Sequence, residues 1–198
     1  ANPRTSRRQS SAPSSATSAT TSADDRRAAS RRELGLLLAV TLIALGLRSM
    51  TPGRVAVEHF DEGVYASNLF FDRDDAFEYP ERRLYAPPLV PWLVEWSIVF
   101  FGTGFVGCFL VGVTLGTATV IAVWWTARKW LGPLGAMTAA TLVALSGPMI
   151  AFSRSCLTDA PLCLWWTLSV GFLFEAVASD RRRWAILSGL AAAIAWWT

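Results

Sequence analysis

Two acidic motifs and one arginine carry the residue types that could do chemistry. Asp61 and Glu62 are adjacent, in the stretch His59-Phe60-Asp61-Glu62-Gly63-Val64-Tyr65-Ala66. Neighbouring carboxylates repel, which raises the pKa of one and suits it to act as a base. Their oxygens also suit a divalent cation. The same pair is what a helix N-terminus favours, Asp as cap and Glu in the first turn, and spacing alone favours that plainer reading. Asp159 follows Arg154 by five residues in Arg154-Ser155-Cys156-Leu157-Thr158-Asp159-Ala160-Pro161. An ionisable group at the border of a membrane span is a functional candidate; Thr158 to Pro161 reads equally as a helix start with Pro in its first turn. Arg154 could bind a phosphate or extend to an interface. His59, the only histidine, reads as a solvated loop residue. Cys108, Cys156 and Cys163 form neither a disulfide framework nor a zinc pattern, and Cys108 and Cys163 read as small buried hydrophobes inside apolar runs.

The elements that position these groups are apolar. The chain is 53% hydrophobic and 17% charged, with ten Trp and a mean hydropathy of +0.36. That is more apolar than soluble domains usually are, and Trp favours the membrane interface. Charge is segregated. Seven of the 18 basic residues lie within 1–32, and eight of the 15 acids within 51–88. Segregation of this kind suits two sides of a membrane and not a nucleic-acid surface, which clusters Lys and Arg on one face.

Residues 1–32, rich in Ser, Thr, Ala and Arg, have no apolar period and are expected to be a disordered cytoplasmic tail. The polar region is too long for a signal peptide, and no small-residue cleavage site precedes Arg48. Spans are expected at about 34–50, 105–126, 134–152, 161–178 and 184–198, with Arg48 snorkelling to the far interface. Residues 51–88 form an acidic external loop. Residues 89–101 are too short to span and carry Glu95, costly in hydrocarbon, so they are expected to be an interfacial helix entered through Pro87, Pro88 and Pro91. With that segment on the surface and the N-terminus inside, Arg128, Lys129 and Arg181 to Arg183 all fall in the cytoplasm, as the positive-inside rule prefers. The fold class is therefore all-α, a polytopic membrane helix bundle. Asp61, Glu62, Arg154 and Asp159 share its external face, where Asp61 and Asp159 are expected to face each other across a cavity. The last span runs to Thr198, from which a longer parent protein is expected.

Taken in order, the motifs resemble the GT-C glycosyltransferases, in the branch of the protein O-mannosyltransferases and the lipid A aminoarabinose transferases. The matching residues are Asp61-Glu62 with Tyr65, Pro87-Pro88-Leu89, and Arg154 through Asp159 followed by Pro161-Leu162. The resemblance covers about residues 34–198. It implies that Asp61 is the catalytic base, that Glu62 supports it or contacts the acceptor, and that Asp159 and Arg154 lie on the donor side. Tyr65 and Tyr85 are supporting residues. It further implies a polyprenyl-phosphate sugar donor, a protein, lipid or glycan acceptor, inversion in one displacement, and a divalent metal held by Asp61 and Asp159. The chain departs from the family pattern at Ala86, where relatives often carry Lys or His before Pro-Pro, so a phosphate or metal contact from that position is lost. The family's later spans and large external region lie outside this chain, which alone is expected to be inactive. The expected setting is the plasma membrane.

Two other classes compete. A transporter or flippase should show polar or broken helices at mid-membrane. Gly147-Pro148 breaks the third span, but charge gathers at the external border instead. A non-catalytic membrane assembly protein would need neither Asp61 nor Asp159.

Overall fold

The computed structural model describes residues 16–50, 60–66 and 87–198. Their order is α1 (Ala16–Ser49), α2 (Phe60–Tyr65), α3 (Leu89–Phe101), α4 (Phe105–Leu145), α5 (Gly147–Ser153), α6 (Asp159–Ser179) and α7 (Arg182–Trp196). No strand occurs among the described residues. The fold is an all-α helix bundle, in which α4 and α6 are long and apolar enough to cross a membrane.

Two compact units divide the chain, residues 1–36 and residues 37–198. In the first, α1 begins at Ala16, so residues 16–32 are helical where composition pointed to disorder. Helix growth is cooperative: once a nucleus exists, each added Ala or Arg gains one hydrogen bond, and that stretch is rich in both. Residues 1–15 of the expected tail lie outside the described residues, as does most of the external loop.

At 41 residues α4 is too long for one crossing; about 60 Å of helix would overrun a hydrocarbon core of about 30 Å. It breaks at Gly132 (φ 67, ψ −176), a left-handed conformation that only glycine adopts without steric cost. Pro133 then opens the second arm with a preset φ, needing no N–H partner. The two expected spans either side of Arg128 and Lys129 are thus arms of one element joined by a break at Gly132. The second arm continues, past an extended Ser146, into α5.

The first arm of α4 runs alongside α6. At one end a Cβ on Gly116 would stand 2.0 Å from Ser153 Oγ and 3.5 Å from the Ala160 Cβ. No side chain larger than hydrogen fits there, the small-residue contact by which membrane helices approach closely. At the other end Trp125 meets Phe172 at 5.3 Å, Trp130 meets Phe174 at 4.5 Å, and Lys129 pairs with Glu175. Helix α7 returns antiparallel to α6. Ser169 and Ser188, both buried, each donate to the other's carbonyl at 3.0 and 2.9 Å, and Trp184 stacks on Phe172. Trp197 O then accepts from Leu89 N at 3.1 Å, tying the end of α7 to the start of α3.

Helix α3 presents two faces. Val90, Val94, Glu95 and Ile98 are buried, while Trp92, Trp96 and Phe100 stand outside as an aromatic ladder with centroids 6.3 and 5.4 Å apart. Glu95 is 1% exposed. Its carboxylate faces protein and not lipid, which corrects the hydrocarbon argument made from sequence. At 13 residues α3 still falls short of the length a crossing needs. Cys163, read as buried, is exposed on α6, as apolar side chains of a bundle's lipid-facing surface are.

Candidate functional site

The turn between α5 and α6 carries Arg154 and Asp159, and two distant segments hold it. The first is the end of α1. Arg154 closes α5 as its C-cap, with its N–H on Ala151 O and Ile150 O, and its Nη2 donates to Met50 O at 2.9 Å. The second is α2. Glu62 Oε1 accepts from the Cys156 N–H at 2.8 Å, across 94 residues of sequence. Both partners are enclosed, Glu62 at 4% exposure and Cys156 at 2%. A hydrogen bond between enclosed partners is costly to break, because the donor would be left buried and unmet. Glu62 therefore fastens α2 to the turn.

Tyr65, one turn further along α2, packs against the cluster of Val90, Val94, Ile98, Phe109 and Cys156, so the second contact of α2 is apolar. Burial, then the charges of Cys108 and Glu62, push the Cys156 thiol up to about 12. A thiol so placed stays protonated and unreactive at neutral pH. It belongs to the packing.

Asp159 is the first residue of α6 and is half-buried. Thr158 takes the N-cap position without a side-chain cap bond, so Asp159 sits at the positive end of the helix dipole, where a carboxylate is favoured. The backbone of Asp61 lies in α2 beside Glu62. Its side chain is outside the described residues, as are His59 and Tyr85, so the expected facing of Asp61 and Asp159 lies there too. Among the described residues no group of three or more His, Cys, Asp or Glu could hold a metal ion. Asp159 and Arg154 are the charged groups the turn itself contributes. Nearby, between α3 and α7, an apolar groove of about 440 Å³ is lined by Leu89, Trp92, Ile194 and Trp197 among others.

The residue that sequence reasoning missed is Arg48. It does not snorkel: it is 0% exposed. Its guanidinium donates to Ala44 O at 3.1 Å, Ala144 O at 3.2 Å, Val143 O at 3.3 Å and Ser153 Oγ at 3.1 Å. A buried cation is stable only when its donors are satisfied in this way. A signal was present in Pro148, which lacks the N–H that Ala144 O would receive in an unbroken helix.

Arg128, Lys129 and Arg181 to Arg183 sit at the other end of the bundle. Arg128 lies 5.7 Å over the Trp124 ring and Arg183 5.0 Å over the Trp184 ring, and Lys129 is held by Glu175.

A family model described as dolichyl-phosphate-mannose-protein mannosyltransferase matches residues 85–198. The match takes in α3 to α7 and the turn with Arg154 and Asp159, and begins after Asp61 and Glu62. Comparisons with curated proteins and with solved structures give no match.

Proposed function

The chain belongs to the dolichyl-phosphate-mannose-protein mannosyltransferase family, a family of membrane glycosyltransferases, and from that premise we propose that it moves a monosaccharide from a polyprenyl-phosphate donor to an acceptor hydroxyl. The acceptor is a hydroxyl of protein, lipid or glycan, and a longer protein containing this chain is the active form. The observation that carries the reading is the Glu62–Cys156 bond. It fastens α2, and with it the backbone of Asp61, to the turn that bears Arg154 and Asp159.

In this reading Asp61 takes the proton of the acceptor hydroxyl. The hydroxyl oxygen bonds to the anomeric carbon as the bond from that carbon to the phosphate oxygen breaks. Attack comes from the opposite face, so the configuration inverts, and the polyprenyl phosphate leaves with the bonding electrons. Arg154 offsets the charge that grows on the leaving phosphate. Asp159, with Asp61, would hold a divalent cation, an ion that takes oxygen ligands and would supply further charge stabilisation. An isoprenoid tail asks for an apolar groove, and the lining of Leu89, Trp92, Ile194 and Trp197 has that chemistry.

We further infer a plasma-membrane location with the N-terminus cytoplasmic and the site external. Support comes from Arg128, Lys129 and Arg181 to Arg183 lying at the end opposite the turn, as the positive-inside rule asks.

The test is transfer of radiolabelled sugar from polyprenyl-phosphate mannose by the full-length protein in membranes. Wild type should transfer, and Asp61→Asn at matched folded amounts should lose activity by about 10²-fold or more, the usual scale for a general base. Transfer that survives the substitution removes Asp61 as base. Failure of wild type with mannose and with a panel of other lipid-linked sugars refutes the reading.

A further inference from the structure

Between α4 and α5 the helical hydrogen-bond ladder fails. Ser146 is extended (φ −62, ψ 118), and Pro148 has no N–H for Ala144 O four residues back. The last carbonyls of α4 are then orphaned inside an apolar bundle, where each unmet group is costly. Arg48 meets two of them, Ala144 O through Nη1 and Val143 O through Nη2, while its Nε holds Ser153 Oγ at the far end of α5. One planar guanidinium therefore touches both sides of the break. Its charge also lies at the negative end of the α4 dipole.

We propose that Arg48 is a positioning residue that sets the angle between α4 and α5, and with it the place of Arg154 and Asp159. The inference rests on reading the α5–α6 turn as the donor side of the site. Three observations carry it. Ser153 immediately precedes Arg154, so the bond to Nε acts at the root of the turn. Met50, two residues after Arg48, accepts from Arg154 Nη2 at 2.9 Å, so residues 48–50 hold the turn at two successive positions. Ser153 is also hemmed in from behind by Gly116, so pull from Arg48 and contact with α4 fix it from two sides. A lysine, one compact charge on a flexible stem, reproduces none of the fork geometry that spans the break.

The experiment uses Arg48→Met and Arg48→Lys in the full-length protein in membranes, with two readouts. Hydrogen exchange at the amides of 153–159 should speed at least tenfold in Arg48→Met, while 182–196 in α7 stay as protected as in wild type. Per folded molecule, kcat/KM for the lipid-phosphate sugar should fall at least tenfold, with a raised donor KM, and Arg48→Lys should lie between. Ser153→Ala, which removes the acceptor of Arg48 Nε together with the hydroxyl's own bond to Met149 O, gives a smaller local effect and serves where Arg48→Met does not fold. Exchange that rises evenly along the chain, or not at all at 153–159, overturns the proposal. So do unchanged kcat and KM per folded molecule beside locally fast exchange. A wild type that turns over no lipid-linked sugar refutes the function proposed above and leaves the exchange result to decide about Arg48.

Discussion

Replacing Glu62 by Ala tests the fastening on which the site depends. The substitution removes the acceptor of the Cys156 N–H and leaves that donor in a place where the residue is 2% exposed. An orphaned buried donor costs about 1–3 kcal/mol. The small cavity left by the side chain adds to this, so about 2–3 kcal/mol is the expected loss. For a unit of roughly 160 residues that corresponds to a fall of about 4–12 °C in thermal midpoint, at about 2–4 °C per kcal/mol. Glu62→Gln keeps an oxygen at the same reach and puts an NH2 group in place of the second oxygen, so its loss should be under about 1.5 kcal/mol, the scale of a neutral hydrogen bond. The assay is thermal unfolding of the purified protein in detergent, paired with exchange at the Cys156 amide. An Ala variant that melts within a degree of wild type would refute the reasoning. A Gln variant as weak as Ala would show that the single acceptor oxygen facing Cys156 is not what holds α2 in place.

Other outcomes follow from the same packing. Gly116→Ala should destabilise by about 1–3 kcal/mol, the usual cost of overpacking, because its Cβ meets Ser153 Oγ at 2.0 Å; unfolding in detergent measures it, and an unchanged midpoint counts against the close contact. Cys156 should resist maleimide at pH 8 in the folded protein and react once unfolded. Since its thiol is raised from 9.0 to about 12 on folding, it contributes stability that is fully present below about pH 9 and is lost as pH rises towards 12. Cys156→Ala should flatten that alkaline decline. Chelation of divalent cations should lower sugar transfer in membranes and Mg²⁺ or Mn²⁺ should restore it; full activity in excess chelator would remove the cation from the proposed role of Asp159.

What the sequence shows plainly is whatever depends on runs of apolar residues. The stretches after Phe105 and after Pro161 are long and uninterrupted, and α4 and α6 occupy them. Prolines at 87, 88 and 91 and a glycine at 102 mark off Leu89–Phe101, where α3 lies. Contacts over long separations are less legible. Glu62 reads locally as an ordinary first-turn acid, and nothing near it in sequence points to an amide 94 residues away. Arg48, at the end of an apolar run, resembles any interfacial arginine until Pro148 and the carbonyl it orphans are considered together. The start of α1 at Ala16 escaped composition because disorder and helix draw on the same Ala and Arg.

The bonds of Arg48 also bear on how the protein is made. Its acceptor in Ser153 is 105 residues downstream, and the carbonyls of residues 143 and 144 are nearly as far. At roughly 5–20 residues per second, α1 leaves the ribosome some 5–20 seconds before the groups that satisfy its arginine exist. Through that interval the nascent helix carries a cation whose only ready neighbour is its own Ala44 carbonyl, and water or lipid headgroups must serve in place of the rest. Arrival of the α4–α5 break then completes the bonds of Arg48, so the end of α1 settles only after α5 has been made.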